Sequence, residues 1–340
     1  MTRKVGISNG VNILAIETSC DDTAVAIVKA SKKKFEILSN VISSQIEVHK
    51  AWGGVYPTLA KREHENNLAP VLEKALKKAK NPRIDLVAVT NGPGLEPCLW
   101  VGVNFAKALA HYWKLPIVPV NHIEAHILAN LVDSSIKFPA IALVVSGGHT
   151  QLILVKGIGK YRILGETRDD AAGECLDKVA KILGLGYPGG PIISSEAKKG
   201  KAGINLPRPM INQRNYDFSF SGLKTAALYH SKKNNLPAGR QGKTKQYISD
   251  MCLEVQQAVI GVLLKKTMMA VKEYDAETII LGGGVSANTE LRKQFKKKFA
   301  NVLVPPKKLS TDNAVMIAIA GYYNKPQDWT KIKADANLRI

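Results

Sequence analysis

Apolar runs of strand length recur along this chain in the same order twice. Between residues 11 and 42 an apolar strand (VNILAIE) leads into a tight polar turn (TSCDDT), a second strand (AVAIV), a basic loop and a third strand (FEILSNVIS). Between 138 and 168 the order returns as FPAIALVVS, GGHT, QLILVKG, a loop and YRILGETR. Each triplet predicts the opening β-meander of an α/β domain.

Later in each half a buried strand runs through a glycine turn into a helix. RIDLVAVTNGPG precedes CLWVGVNFAKALAHYW, and AETIILGGGVSAN precedes TELRKQFKKKFA. Strand, glycine turn and helix is the local geometry by which α/β folds hold phosphates. Two such domains facing each other predict a nucleotide cleft. The fold expected is α/β of the actin-like ATPase (ASKHA) type, with two duplicated lobes about a central cleft. The boundaries expected are 1–130 and 131–340, with a 310–325 helix contributing to a metal site between the lobes.

Helical spacing is evident at 61–80, where Leu68, Val71, Leu72, Ala75, Leu76 and Ala79 recur with lysines outward. A single long helix is expected over 247–274, carrying Ile248, Val255, Val259, Val262 and Leu263. The stretch 231–246, SKKNNLPAGRQGKTKQ, is polar, basic and broken by Gly and Pro, and reads as a flexible surface insert.

At 340 residues the chain suggests two domains of ordinary size, and 45% hydrophobic with 22% charged residues is ordinarily globular. No apolar run approaches the roughly 20 residues of a membrane span, so no membrane is expected. The short apolar start meets Glu17, Asp21 and Asp22, which argues against a signal peptide. Four scattered cysteines without a CxxC argue for a reducing, cytoplasmic setting and against a zinc ribbon. The net charge of +20 favours a polyanionic partner, with lysine clusters at 32–34, 77–80, 198–201, 296–298 and 307–308. No aromatics interleave with these runs, so no single-strand stacking platform is visible.

The densest chemistry lies in VNHIEAHILAN. On a helix capped by Asn121, His122 and His126 share one face, as two ligands of one metal ion must. Packed or surface histidines are the alternative. Glu124 sits one position late for the metalloprotease order His-Glu-x-x-His, which disfavours peptidase chemistry. Asp312, in STDNAVMIA, can cap the helix that follows or complete a His₂Asp site with open coordination positions.

Ser146-Gly147-Gly148-His149-Thr150 places two glycines in a hairpin, either as a tight turn or as backbone that cradles a phosphate. Gly282-Gly283-Gly284 exceeds what a turn requires, and favours a nucleotide lying on that backbone. Asp177, with the Tyr187–Pro191 turn behind it, suits recognition of a ribose or amide. The DFSFSGLK segment is expected to be a cleft wall or a packing element between lobes.

ETSCDDTAVAIV, GGVYPTLAKREH, NGPGL, HIEAH, VSGGHTQL, DDAAGECLDKVAKILGLGYPGGP, DFSFSGLKTA, LGGGVSAN and STDNAVMIA, in this order, resemble the tRNA threonylcarbamoyladenosine transferase (TsaD) family over roughly residues 11–323. The resemblance implies one divalent metal, iron or zinc, on His122, His126 and Asp312. It implies substrate contacts at Val144, Val145, Ser146, Gly147, Gly148, Asp177, Gly190 and Asn288, and an Asp21 that acts near the reactive group, so that Asp21, His122 and His126 carry the catalytic assignment.

It further implies binding of an adenine nucleotide, ATP or threonylcarbamoyl-AMP. The threonylcarbamoyl group would pass to N6 of the adenosine 3′ of the anticodon in ANN-decoding tRNA. By the same resemblance the partners are tRNA, a TsaB-like paralogue and a TsaE-like ATPase. The positive charge then reads as an anticodon stem-loop bound through its phosphates. Two rival readings are an actin-fold small-molecule kinase or ATPase, and a non-catalytic TsaB-like scaffold; the joint presence of His122, His126 and Asp312 argues against both.

Overall fold

The computed structural model describes residues 10–32, 34–233 and 245–340. The basic lead over residues 1–9 and the central part of the 231–246 insert lie outside the described residues. In chain order the elements are β1 (Val11–Glu17), β2 (Asp22–Ser31), β3 (Lys34–Ser44), α1 (Ile46–Lys50), α2 (Pro57–Lys78), β4 (Leu86–Gly92), α3 (Glu96–Trp113), β5 (Ile117–Asn121) and α4 (His122–Leu128). They continue as β6 (Ala140–Val145), β7 (Thr150–Gly157), β8 (Lys160–Glu166), α5 (Ala172–Ile182), α6 (Gly189–Ala197) and α7 (Ser221–Lys233). The last are α8 (Lys245–Tyr274), β9 (Thr278–Gly282), α9 (Thr289–Lys298), β10 (Val302–Leu303) and α10 (Ala314–Tyr323).

The repeat seen in the sequence is a repeat of topology. One five-stranded sheet runs β3-β2-β1-β4-β5 and the other β10-β9-β6-β7-β8, the same order with each strand's counterpart five positions later. In each, the first three strands pair antiparallel, and the central strand then pairs parallel with a strand reached by crossover: β1 with β4, β6 with β9. Central strands covered on both faces read as unbroken apolar runs. Accordingly Ile13, Leu14, Ala15 and Ile16, and likewise Ile141, Ala142, Leu143 and Val144, are fully buried.

The chain divides into two compact units. The first comprises residues through Glu47, Val55–Ser135 and Asp312–Ile340; the second comprises Val48–Gly54 and Ile136–Thr311. The C-terminal segment therefore differs from the 131–340 lobe expected for it. The physical reason is α10: Ala314 to Gly321 are all buried, and the helix packs on β1, β2, β4, β5 and α4. An all-apolar helix needs cover on every side, and the first sheet supplies it.

Close approach of α10 to β4 depends on Gly321, where a Cβ would stand 2.7 Å from the Ala88 Cβ. Gly321→Val is expected to lower stability by about 2–3 kcal/mol through overpacking, read as a drop in the thermal unfolding midpoint. An unchanged midpoint would show that the helix can withdraw at no loss.

The second unit is built around α8. This helix has the length and apolarity of a membrane span. Val255, Val259, Val262 and Leu263 lie in the unit's core, so α8 is a core helix. DFSFSGLK packs within the same unit: Phe218 and Phe220 are fully buried and stacked 6.3 Å apart. The Asp169 carboxylate accepts hydrogen bonds from the backbone N–H of Phe220 and Ser221 and from both flanking serine hydroxyls.

Candidate active site

α4 starts abruptly at the end of β5 because Asn121 caps it, its Oδ1 accepting from Ile123 N (2.9 Å) and Glu124 N (3.1 Å). That cap sets the phase of the first turn and puts His122 and His126 on one face, their ring centroids 4.6 Å apart. Glu124 faces elsewhere. It is buried, and its Oε2 accepts from Asn324 Nδ2 at 2.7 Å, which ties α4 to the end of α10 and removes it from any general-base role.

Asp312 comes to the same face from the start of α10. Its Oδ1 lies 3.2 Å from His126 Nε2 and 3.5 Å from His122 Nε2. The cap of α10 is Asn313, whose side chain accepts from Met316 N at 3.1 Å, and not Thr311 or Asp312. Asp312 is not spent on that cap and lies beside both histidines. All three residues belong to the first unit, so this cluster does not draw on the second.

The donor set suits a metal ion. The two imidazole nitrogens and the carboxylate oxygen lie within 4.8 Å of one another. His126 Nε2 is fully enclosed and lacks a well-formed hydrogen bond even with Asp312 beside it. Two nitrogens and one oxygen would leave a coordination position for substrate, the arrangement of catalytic sites.

The electrostatics set the two rings apart. Burial depresses His126, and the charge of His122 adds to that, so its ring is held neutral. Burial also opposes charge on His122, but the carboxylates of Glu17 and Asp312 outweigh it and raise the ring to about 9. Burial works to raise Glu17 too, and is overcome chiefly by His122, leaving that carboxylate below its ordinary range.

Glu17, fully buried, is a residue that sequence reasoning missed. The one signal for it in the sequence is a carboxylate that ends an apolar strand.

The turn after β1 lies beside this cluster. Asp21, expected to be catalytic, has its carbonyl fixed by Gln45 N at 3.0 Å. The neighbouring Cys20 carbonyl meets Nε2 of the fully buried His64 at 3.0 Å. Asp22 is raised to about 7, mainly by burial against an opposing Ser44 hydrogen bond, with Asp312, Asp21 and Glu17 adding. No cysteine offers a thiolate. Burial, then Asp21 and Asp312, raises Cys20 well above its ordinary value, and burial pushes Cys98, Cys175 and Cys252 up to about 12.

The remaining expected residues all lie in the second unit, five of them at and just after the end of β6. Val144 and Val145 are its last two residues and are buried. Ser146 opens the turn, its Oγ accepting from His149 N at 3.0 Å and its carbonyl from Gly173 N at 3.2 Å. Gly147 and Gly148 are exposed, and a Cβ at either would meet nothing within 4 Å. Neither packing nor a left-handed φ demands glycine there, which leaves access to the backbone as the physical reason.

Asp177 and Gly190 are brought together, though as partners of each other. Asp177 Oδ1 accepts from Gly189 N (2.7 Å) and Gly190 N (3.3 Å) and so caps α6. Asn288 caps α9, its Oδ1 accepting from Glu290 N and Leu291 N, while its Nδ2 donates to Gln256 Oε1 at 2.8 Å.

The chain as a whole is similar to known proteins. The model of the family described as TsaD, tRNA N6-adenosine threonylcarbamoyltransferase, matches residues 36–319. A protein of that name from Persephonella marina is 48% identical over 343 residues, covering 97% of this chain and 96% of its own. One from Bacillus subtilis is 49% identical over 316 residues, covering 91% of this chain and 89% of its own.

Among solved structures, full-length HypF in its phosphate- and nucleotide-bound form superposes with a TM-score of 0.61 at 14% identity, over 94% of this chain and 56% of that one. That likeness bears on the fold alone, which is the actin-like ATPase fold. Nearly full-length identity at this level, on a fold written twice, leaves one conclusion: the chain belongs to the tRNA N6-adenosine threonylcarbamoyltransferase (TsaD) family and is an acyltransferase of tRNA modification.

Proposed function

We propose that the chain transfers a threonylcarbamoyl group from threonylcarbamoyl-AMP to N6 of the adenosine 3′ of the anticodon in ANN-decoding tRNA. The observation that carries this reading beyond family membership is the His122–His126–Asp312 cluster, three ligand atoms within 4.8 Å. Bound there, an iron or zinc ion supplies Lewis-acid polarisation of substrate oxygens. In the reaction the N6 nitrogen forms a bond to the carbamoyl carbon, the bond from that carbon to the phosphate oxygen breaks, and AMP leaves; N6 gives up one proton.

In the second unit, the exposed backbone of Gly147 and Gly148 receives phosphate or carbonyl oxygens, next to Val144, Val145 and Ser146. The Gly282–Gly284 backbone, Asn288, Asp177 and Gly190 line the place taken by the adenosine. In the first, His122, His126 and Asp312 hold the ion, and Asp21 acts near the reacting group. No covalent acyl-enzyme is needed, which accords with four thiols held protonated by burial. An exocyclic amine is a weak nucleophile, so positioning and electrophile activation supply most of the rate. A TsaB-like paralogue and a TsaE-like ATPase complete the working assembly in a cytoplasmic setting.

The test is transfer to unmodified ANN-decoding tRNA, with threonylcarbamoyl-AMP generated in situ and both partners supplied. Nucleoside mass spectrometry is expected to show threonylcarbamoyladenosine with the wild type and none with His122→Ala. Absence of product from a wild-type assembly that carries its metal would overturn the reading.

A further inference from the structure

His122 differs from His126 in what stands behind it. Its Nδ1 lies 3.0 Å from Glu17 Oε2 and 3.2 Å from Ser19 Oγ, while its Nε2 is the nitrogen that looks toward Asp312. The same Glu17 oxygen accepts from Thr90 Oγ1 at 2.7 Å, and the other accepts from Ser19 N. Three segments far apart in sequence are thus fastened to one fully buried carboxylate: the end of β1, Thr90 on β4 and the start of α4.

Every group that meets Glu17 here is a donor. Ser19 offers a main-chain N–H, Thr90 a hydroxyl, and His122 can offer Nδ1–H. A carboxylate has only acceptors and satisfies all of them at once, whereas an amide would turn an NH₂ against one. A neutral imidazole carries its proton on one nitrogen and its lone pair on the other. The hydrogen bond at Nδ1 therefore decides that the lone pair sits on Nε2.

We propose that Glu17 is the positioning residue of the metal site: it keeps the His122 proton on Nδ1 and fixes the ring plane, so that Nε2 is presented to the ion. Glu17 touches neither the ion nor the substrate and acts through His122. Its anionic charge, one residue removed from the ligands, also offsets part of the charge of a divalent cation in an enclosed site. The inference rests on the metal-site reading above.

Zinc(II) alone is the probe, titrated into the full chain against a competing chromophoric chelator. Glu17→Gln has the same shape but replaces one acceptor with a donor, and is expected to weaken zinc binding by about 10–100-fold. Circular dichroism and the thermal unfolding midpoint are read alongside. Glu17→Asp, which restores an all-acceptor group, is expected to recover part of the loss.

A wild-type zinc affinity in folded Glu17→Gln overturns the inference while leaving the site standing; a wild type that takes up no zinc or iron overturns both. A second measurement does not depend on how the variants fold. In ¹⁵N-labelled, zinc-loaded wild type, the His122 ring is expected to carry its proton on Nδ1. A proton on Nε2 would overturn the assignment.

Discussion

Asp312→Ala protein is expected to purify without stoichiometric iron or zinc, and to transfer the threonylcarbamoyl group on the order of 10³-fold more slowly than wild type. Loss of several kcal/mol of charge stabilisation in the transition state corresponds to a factor of that size. The expectation follows from the donor count. His122 and His126 come from one helix and cannot close a site by themselves, and Asp312 Oδ1 is the third atom, 3.5 and 3.2 Å from their Nε2 atoms.

The α10 cap belongs to Asn313, so the substitution leaves that cap in place. Metal analysis of the purified variant, with the unfolding midpoint as control, gives the answer. A full complement of bound metal would remove Asp312 from the ligand set.

Gly283→Ala is expected to lose about 3 kcal/mol of stability or more, from backbone strain and steric overlap together. Gly283 has φ 81° and ψ 160°, a conformation that only glycine adopts without strain. A Cβ there would stand 2.4 Å from the Val145 carbonyl oxygen and 2.7 Å from its carbon. Neither backbone atom has a flexible end to move, and β6 and β9 are paired in parallel up to Val144 and Gly282.

Gly284 provides the contrast. A Cβ there would meet only Thr311 Cγ2, at 3.9 Å, so Gly284→Ala is expected to keep wild-type stability. If the adenosine lies on this backbone, that variant binds adenine nucleotide at least about tenfold more weakly through loss of one close approach. Thermal unfolding and nucleotide titration of the two variants separate these effects. An undiminished midpoint for Gly283→Ala would contradict the steric argument, and undiminished nucleotide affinity for Gly284→Ala would remove the adenosine from this turn.

Much of the architecture was legible because it depends on near neighbours. Period and apolar continuity marked both meanders, the two strand–glycine–helix units and the long helix observed as Lys245–Tyr274. The Asn121 cap and the shared face of His122 and His126 follow from spacing within a single helix. Even the misplaced Glu124 was visible as such, since a helix turns about 100° per residue. The motifs that carried the family resemblance were legible for the same reason, being short runs whose order alone is distinctive.

The sequence by itself therefore determined the duplicated α/β pattern, the family and the pairing of the two histidines. Tertiary structure alone decided that α10 joins the first sheet, that Asn313 and not Asp312 caps it, and that Asp177 spends one carboxylate oxygen on the turn at Gly189 and Gly190. It alone decided that Glu17 meets His122 across 105 residues of chain. Helix and strand periods are set by side chains a few residues apart and leave their mark in any short window. A buried carboxylate's choice among distant donors is made only when separate elements are packed together, and nothing in the local pattern records which donors those are.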